Sequence, residues 1–341
     1  MDIEPKVTVL MPVYNGENYV RAAIDSILNQ TFIDFEFLIV NDGSTDGSVA
    51  LIESYRDPRI KLVHNEKNMG LVATLNKGVD LARGTYIARM DCDDISLPTR
   101  LQKQVAYMEM HPTVGVCGTW IKIIGNASSV VWSYPTDADE IKCRLLFESV
   151  LPHPSVIMRK EMFKEWGLYY DPLFRHAEDY ELWVRAARKM PLANIGEALL
   201  FYRAHAYNVG MIHKDEQSIN VRRIQLLQLD ELHIDPTPLE IEIFQTISHW
   251  QFKSDRHFVE NVEKWLLKLL NANNVAQLYP EPAFSRELAR RWFAACNAAS
   301  GLGLWALRVF MRSPLRRGLL LDVQQLVFAL KCLLYVGKPH E

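Results

Sequence analysis

The 341-residue chain is 49% hydrophobic and 23% charged, an ordinary soluble composition with room for two domains and a large core. Its net charge of −3 argues against a general nucleic-acid binder, and its five cysteines (Cys92, Cys117, Cys143, Cys296, Cys332) lack the close pairing of a disulfide framework or zinc site, which fits a reducing cytosol. The opening Met-Asp-Ile-Glu-Pro has no signal-peptide character, and the most apolar window, residues 318–336, is broken by Asp322, Gln324, Gln325 and Lys331, so the expectation is a protein that is soluble or lies on a membrane surface.

Val7 to Met11 is a β-branched run stopped by Pro12 and reads as a first strand buried on both faces, followed by a loop through Tyr14, Asn15 and Gly16. A helix with Tyr19, Val20, Ala23, Ile24, Ile27 and Leu28 on one stripe comes next. Phe35 to Val40 predicts a second strand ending in Asn41-Asp42-Gly43-Ser44, then a helix over 48–55. A third strand, Ile60 to His64, leads through a loop with Asn68 and Gly70 into a helix ending near Gly84. The fourth strand, Tyr86 to Met90, stops at three carboxylates within four residues, Asp91, Asp93 and Asp94. At a strand end of an open α/β sheet such a cluster faces the ligand crevice, and hard divalent cations with phosphate oxygens are its complement; the plainer alternative is a polar loop with a helix cap.

A helix over 98–110 and a fifth strand, Val114 to Cys117, complete an alternation that specifies a doubly wound, largely parallel sheet. Right-handed crossovers then bring Tyr14, Asp42, Asn68 and Asp91 to Asp94 to one edge. No glycine-rich phosphate loop is present, so side chains and a metal must grip a nucleotide. The pattern loosens from Trp120: residues 125–135 read as a hairpin or an excursion off the sheet and 138–147 as a helix. Pro152-His153-Pro154 then turns into a strand over 155–158. Glu178 and Asp179 open a helix to about Lys189, where Asp179 also suits a first-turn dipole partner. A last strand, Ala198 to Tyr202, ends in Arg203-Ala204-His205.

These motifs closely resemble the inverting family 2 glycosyltransferases of bacterial surface-polysaccharide synthesis: Met11 to Gly16, Val40 to Asp46, Asn68 to Leu71, Arg89 to Asp94, Glu178 to Tyr180, Leu182-Trp183 and Tyr202-Arg203 with His205. The resemblance implies an α/β GT-A fold, a Rossmann-like and mostly parallel sheet flanked by helices, over about residues 1–215, with a helical region over 216–341. It implies a UDP-sugar donor held by Pro12, Tyr14, Asn15, Asp42, Asn68 and, at the ribose, Asp91. Asp93, with His205, would bind Mn²⁺ or Mg²⁺, and Asp179 would be the general base, with Glu178 and Asp94 its competitors. His153, Glu178, Trp183 and Arg203 are candidate acceptor or phosphate contacts, although His153 and Trp183 also suit a core. Cys92 reads as a small spacer pointing away from the metal. The expected acceptor is a glycan, lipid-diphosphate-linked, in O-antigen- or capsule-like synthesis. A sugar nucleotidyltransferase would want a basic first loop, yet no Lys or Arg lies between Lys6 and Arg21. A non-catalytic nucleotide-sugar-binding subunit is the remaining alternative.

Beyond about Gly210 helical spacing recurs over 221–232, 239–252, 258–270 and 285–299. The last segment carries Leu319, Leu320, Val323, Leu326, Val327, Leu330, Leu333 and Leu334 on one stripe. Ser313 and Pro314 read as its N-cap and first turn, which would misplace Arg316 and Arg317 at the positive end of the dipole. The expectation is a basic amphipathic end lying on the anionic inner face of the cytoplasmic membrane; packing on the other helices, or a homo-oligomer contact, is the alternative.

Overall fold

The computed structural model describes residues 4–125, 130–205, 212–319 and 323–334. Two compact units result, Met1–Ile141 with Ser149–Val221, and Lys142–Glu148 with Arg222–Glu341. In chain order the first contains β1 (Val7–Val13), α1 (Val20–Leu28), β2 (Phe35–Asn41), α2 (Ser48–Glu53), β3 (Ile60–His64), α3 (Leu71–Leu81) and β4 (Tyr86–Arg89). Next come β5 (Ile95–Ser96), α4 (Arg100–Met110), β6 (Val116–Gly125), β7 (Val131–Trp132), α5 (Ala138–Arg144), whose last residues belong to the second unit, β8 (Ile157–Arg159), α6 (Lys160–Glu165), α7 (Glu178–Ala186) and β9 (Leu192–Ala204).

Every residue of β1 and β2 is buried, as their mainly apolar character requires of strands covered on both faces, and the buried Thr8 hydroxyl donates to Glu36 at 2.6 Å. α1 turns Val20, Ala23, Ile24 and Ile27 into the core at helical spacing. The sheet order is β3-β2-β1-β4-β8-β6-β9-β5, with β7 beside β6. The first four strands are parallel in the doubly wound pattern, so their carboxyl ends share one edge. Past β4 the directions mix: β8 is antiparallel to both β4 and β6, and β9 runs parallel to β6. β6 and β9 are longer than the runs 114–117 and 198–202 suggested, because they pair with each other along ten positions from Val116↔Leu192 to Gly125↔Ala204. The excursion after Trp120 is partly outside the described residues, but β7 returns from it to pair with β6.

Helix α8 (Lys214–Glu231) leads into the second unit, followed by α9 (Pro238–Ser248), α10 (Arg256–Ala276), α11 (Ala283–Ala298), α12 (Leu304–Arg312) and α13 (Val323–Leu334). Phe244, Trp265, Phe284, Trp292 and Phe328 anchor its core. Arg291, fully buried, donates to Glu287 at 2.8 Å and Glu148 at 2.9 Å, and its guanidinium covers the Phe147 ring at 3.8 Å. A buried cation is tolerable only when so paired.

Ser313 caps a short 3₁₀ helix, Pro314–Gly318, rather than α13, so Arg316 and Arg317 do not sit at the positive end of a long helix. The dipole argument for an anionic partner therefore falls. Most of the apolar stripe faces outward: Val323, Leu326, Val327, Leu330, Leu333 and Leu334 are exposed, while Phe328 and Cys332 point inward; Leu319 is partly buried against the core, and Leu320 lies outside the described residues. Among the described residues no helix is long and apolar enough to cross a membrane.

Candidate active site

The loops after β1 and β2 are laced together by hydrogen bonds. Asn15, at φ +49°, donates its N–H to Ser44 Oγ at 3.0 Å and accepts from the Thr45 N–H at 2.8 Å. The Gly16 N–H donates to Ser48 Oγ at 2.8 Å. A Cβ on Gly43, at φ +70°, would lie 2.6 Å from the Lys67 carbonyl carbon, so only glycine lets the β2 and β3 loops approach this closely. Asp42 is buried beside it. Its Oδ1 accepts from Asn65 and from the Met69 N–H at 2.8 Å, and its Oδ2 from the Gly70 N–H at 2.9 Å, so it fixes the loop that carries Asn68. Tyr14 and Asn68 stand exposed at the rim, and Pro12 is buried within β1. Cys92 turns its sulfur toward Gly16, where an added Cβ would meet it at 3.0 Å.

At the end of β4, oxygens of Asp91, Asp93 and Asp94 lie within 4.8 Å of one another. Pairing of β5 with β9 brings the far end of β9 against this cluster. His205 Nε2 stands 2.9 Å from Asp93 Oδ2, the Arg203 side chain donates to the Asp93 carbonyl at 2.8 Å, and the Arg203 N–H to Asp94 Oδ1 at 2.8 Å. The Tyr19 ring stacks on His205 at 5.1 Å and under the Arg203 guanidinium at 4.8 Å. Asp94 Oδ2 is buried with no hydrogen-bond partner among the described residues. Burial, then the neighbouring carboxylates, pushes Asp94 well above the usual range; Asp91 is raised by burial against the pull of Arg89. Crowded carboxylates, an orphaned oxygen and an imidazole fit a hard divalent cation, whose charge would relieve the repulsion.

The second group of acids opens α7. Burial, and then the Asp179 charge, pushes Glu178 up to about 7. Asp179 is raised by burial, opposed by the Tyr180 N–H and Arg89. His153 is buried, bonded through Nε2 to the Tyr170 hydroxyl at 2.9 Å and held neutral by desolvation. Trp183 is wholly buried, so it takes the core alternative and offers no open face to a sugar ring.

Residues 8–167 match the sequence model of glycosyl transferase family 2. A Haemophilus influenzae glycosyltransferase of uncharacterised specificity is 31% identical over 72% of this chain and 79% of its own length. The chain belongs to glycosyl transferase family 2. The Escherichia coli O-antigen biosynthesis glycosyltransferase WbnJ is 34% identical over 58% of this chain and 80% of its own. Among solved structures, Staphylococcus aureus TarS residues 1–349 with UDP-GlcNAc superposes at a TM-score of 0.59 and 20% identity, covering 91% of this chain and 89% of TarS. The Pyrobaculum calidifontis mannosyltransferase PcManGT, with GDP-Man and Mn²⁺, does so at 0.52 and 15% identity, covering 99% and 89%. These two likenesses show the GT-A fold.

Sequence reasoning missed Arg89 as a member of this glycosyltransferase's site. The side chain is 2% exposed, pairs with Asp91, and bears electrostatically on Asp94, Glu178, Asp179 and Tyr170. The signal was available, since an arginine inside a buried strand needs buried acids nearby. Tyr19 was missed because helical spacing placed it on the apolar stripe of α1, whereas it precedes that helix and faces His205.

Proposed function

We propose that this family 2 glycosyltransferase transfers a sugar from a UDP-sugar to a glycan hydroxyl with inversion at the anomeric carbon and with a divalent cation. The supporting observation is the cluster of Asp91, Asp93 and Asp94 at the end of β4, faced by Arg203 of β9 and by His205 just after it. Tyr14, Asn15 and Asn68 flank the base, the last on the loop that Asp42 pins; Asp91 takes the ribose; Asp93 and His205 would hold the cation. When bound, Mn²⁺ or Mg²⁺ would offset the charge that builds on the departing diphosphate. Arg203 adds a fixed positive charge on the same side. Asp179 accepts the proton of the acceptor hydroxyl as it attacks the face opposite the diphosphate, and its raised pKa makes it a stronger base than an exposed aspartate. Glu178, pushed up to about 7 by burial and the Asp179 charge, is its competitor for that role.

Family relatives that bind UDP-GlcNAc or build O-antigen favour a UDP donor and a polysaccharide acceptor, lipid-linked at the inner membrane face. The outward apolar stripe of α13 fits attachment to that surface.

A thermal-shift series of nucleotide-sugars with and without Mn²⁺ tests the donor and metal assignments, since a ligand that binds the native state raises Tm. A UDP-sugar should raise Tm only with Mn²⁺, and not in Asp93→Ala. An equal rise in that variant would remove Asp93 from the metal site.

A further inference from the structure

Tyr14, Asp42 and Asn68 follow β1, β2 and β3, which lie on one side of β4, whereas β8, β6 and β9 lie on its other side. β9 pairs with one edge of β6 from Val116 to Gly125. β8 and β7 therefore share the opposite edge, β8 at Val116 and Cys117 and β7 at Ile121 and Lys122. Since β4 runs antiparallel to β8, and β8 to β6, β4 and β6 point the same way. β7 thus stands at the same end of the sheet as the aspartates, in line with β8 and on the β4 side of β6. Among the described residues β6 is the only strand paired with β7, so the edge of β7 turned toward β4 is open.

This strip is pinned to the sheet yet left uncovered. The Ile123 N–H donates to the Val130 carbonyl at 2.9 Å, the Trp120 indole N–H to the Tyr134 carbonyl at 2.8 Å, and the Asn194 side-chain amide to the Pro135 carbonyl at 2.8 Å. Between these anchors Val130, Val131 and Trp132 are all exposed, Trp132 by 51%. Three consecutive exposed apolar residues at a strand edge invite unwanted pairing, and strand edges are ordinarily masked by charge or proline. A ligand with an apolar face of its own gives such a surface a use.

We propose that Trp132 is a platform for the acceptor saccharide, an assignment that rests on the glycan acceptor proposed above and locates it. The sugar ring next to the one that is glycosylated lays its C–H face on the indole. A pyranose presents a face of axial C–H groups, and tryptophan covers it at small entropic cost, having only two side-chain torsions to fix. The position suits the direction of attack. The nucleotide loops occupy the β1 to β3 side of Asp91, and an acceptor that displaces the diphosphate from the opposite face comes in from the β6 side. There His153 precedes β8, and β7 continues the line of that strand.

The test is fluorine NMR of the full chain labelled with fluorotryptophan, in the presence of UDP and Mn²⁺. Methyl pyranosides of glucose, galactose, mannose and N-acetylglucosamine, and a disaccharide of each, are titrated to ~50 mM, enough to occupy sites of millimolar Kd. The Trp132 line, assigned by its loss in Trp132→Phe, should move with at least one of them, while the lines of the buried Trp183, Trp265 and Trp292 stay in place. With the UDP-sugar that the chain hydrolyses, the ratio of transfer onto that saccharide to donor hydrolysis should fall about 5-fold in Trp132→Ala and recover in Trp132→Tyr. A Trp132 line that no saccharide moves, or an unchanged ratio in Trp132→Ala, would overturn the platform. So would sedimentation showing a dimer that Trp132→Ala dissociates, which assigns the β7 edge to a second copy of the chain. A wild-type chain that hydrolyses no UDP-sugar, with its Trp132 line still moved by saccharide, would remove the donor reading and uphold the platform.

Discussion

Arg89 is a buried cation that bears on two acidic groups, Asp91 and Asp94 on one side and Glu178 and Asp179 on the other. Removing one member of a buried ion pair costs about 3–5 kcal/mol, chiefly because the partner is left uncompensated. Arg89→Met should therefore lower stability by about 3 kcal/mol in urea unfolding, and a loss under about 1 kcal/mol would show that the carboxylates do not lean on it. The aspartates were legible in sequence because three carboxylates on an apolar run are locally improbable. Their unequal environments were not, since those follow from which backbone N–H and which β9 side chain each one meets. In sequence Asp94 was only a competitor of Asp179 for the base; in the fold it binds the Arg203 N–H with one oxygen, and the other has no hydrogen-bond partner among the described residues.

At the scale of elements, the parallel half of the sheet could be read directly, because β-branched runs alternate there with helical stripes. The mixed half could not. β5 is two residues long, yet its pairing with β9 is what sets Arg203 and His205 against Asp93 and Asp94, and such a pairing leaves no periodic trace. The C-terminal helices were recognisable from spacing, but not which face of α13 is turned inward. Its outward leucines carry the proposed membrane contact. Truncation near Ser300 would also remove Phe310 and Phe328 from the core, so substitutions on the open face test the contact more cleanly. Leu326→Ser, Leu330→Ser and Leu334→Ser combined should abolish flotation with anionic vesicles and leave Tm unchanged. Equal flotation of the triple variant would assign this stripe to another use.

For the whole molecule, family membership and the GT-A fold agree with the motif order read along the first two hundred residues. What remains proposed is the chemistry: inversion, with Asp179 as base. Donor hydrolysis, in which water replaces the acceptor hydroxyl, addresses this without knowledge of the acceptor. The decisive measurement is proton NMR of the sugar released from the UDP-sugar in Mn²⁺, read before mutarotation, for the wild-type chain and Asp179→Asn. The predicted result is the inverted anomer from wild type, with the variant slowed by about 10²–10⁴-fold at unchanged donor affinity. Release of the retained anomer, or wild-type rates from Asp179→Asn, would contradict it.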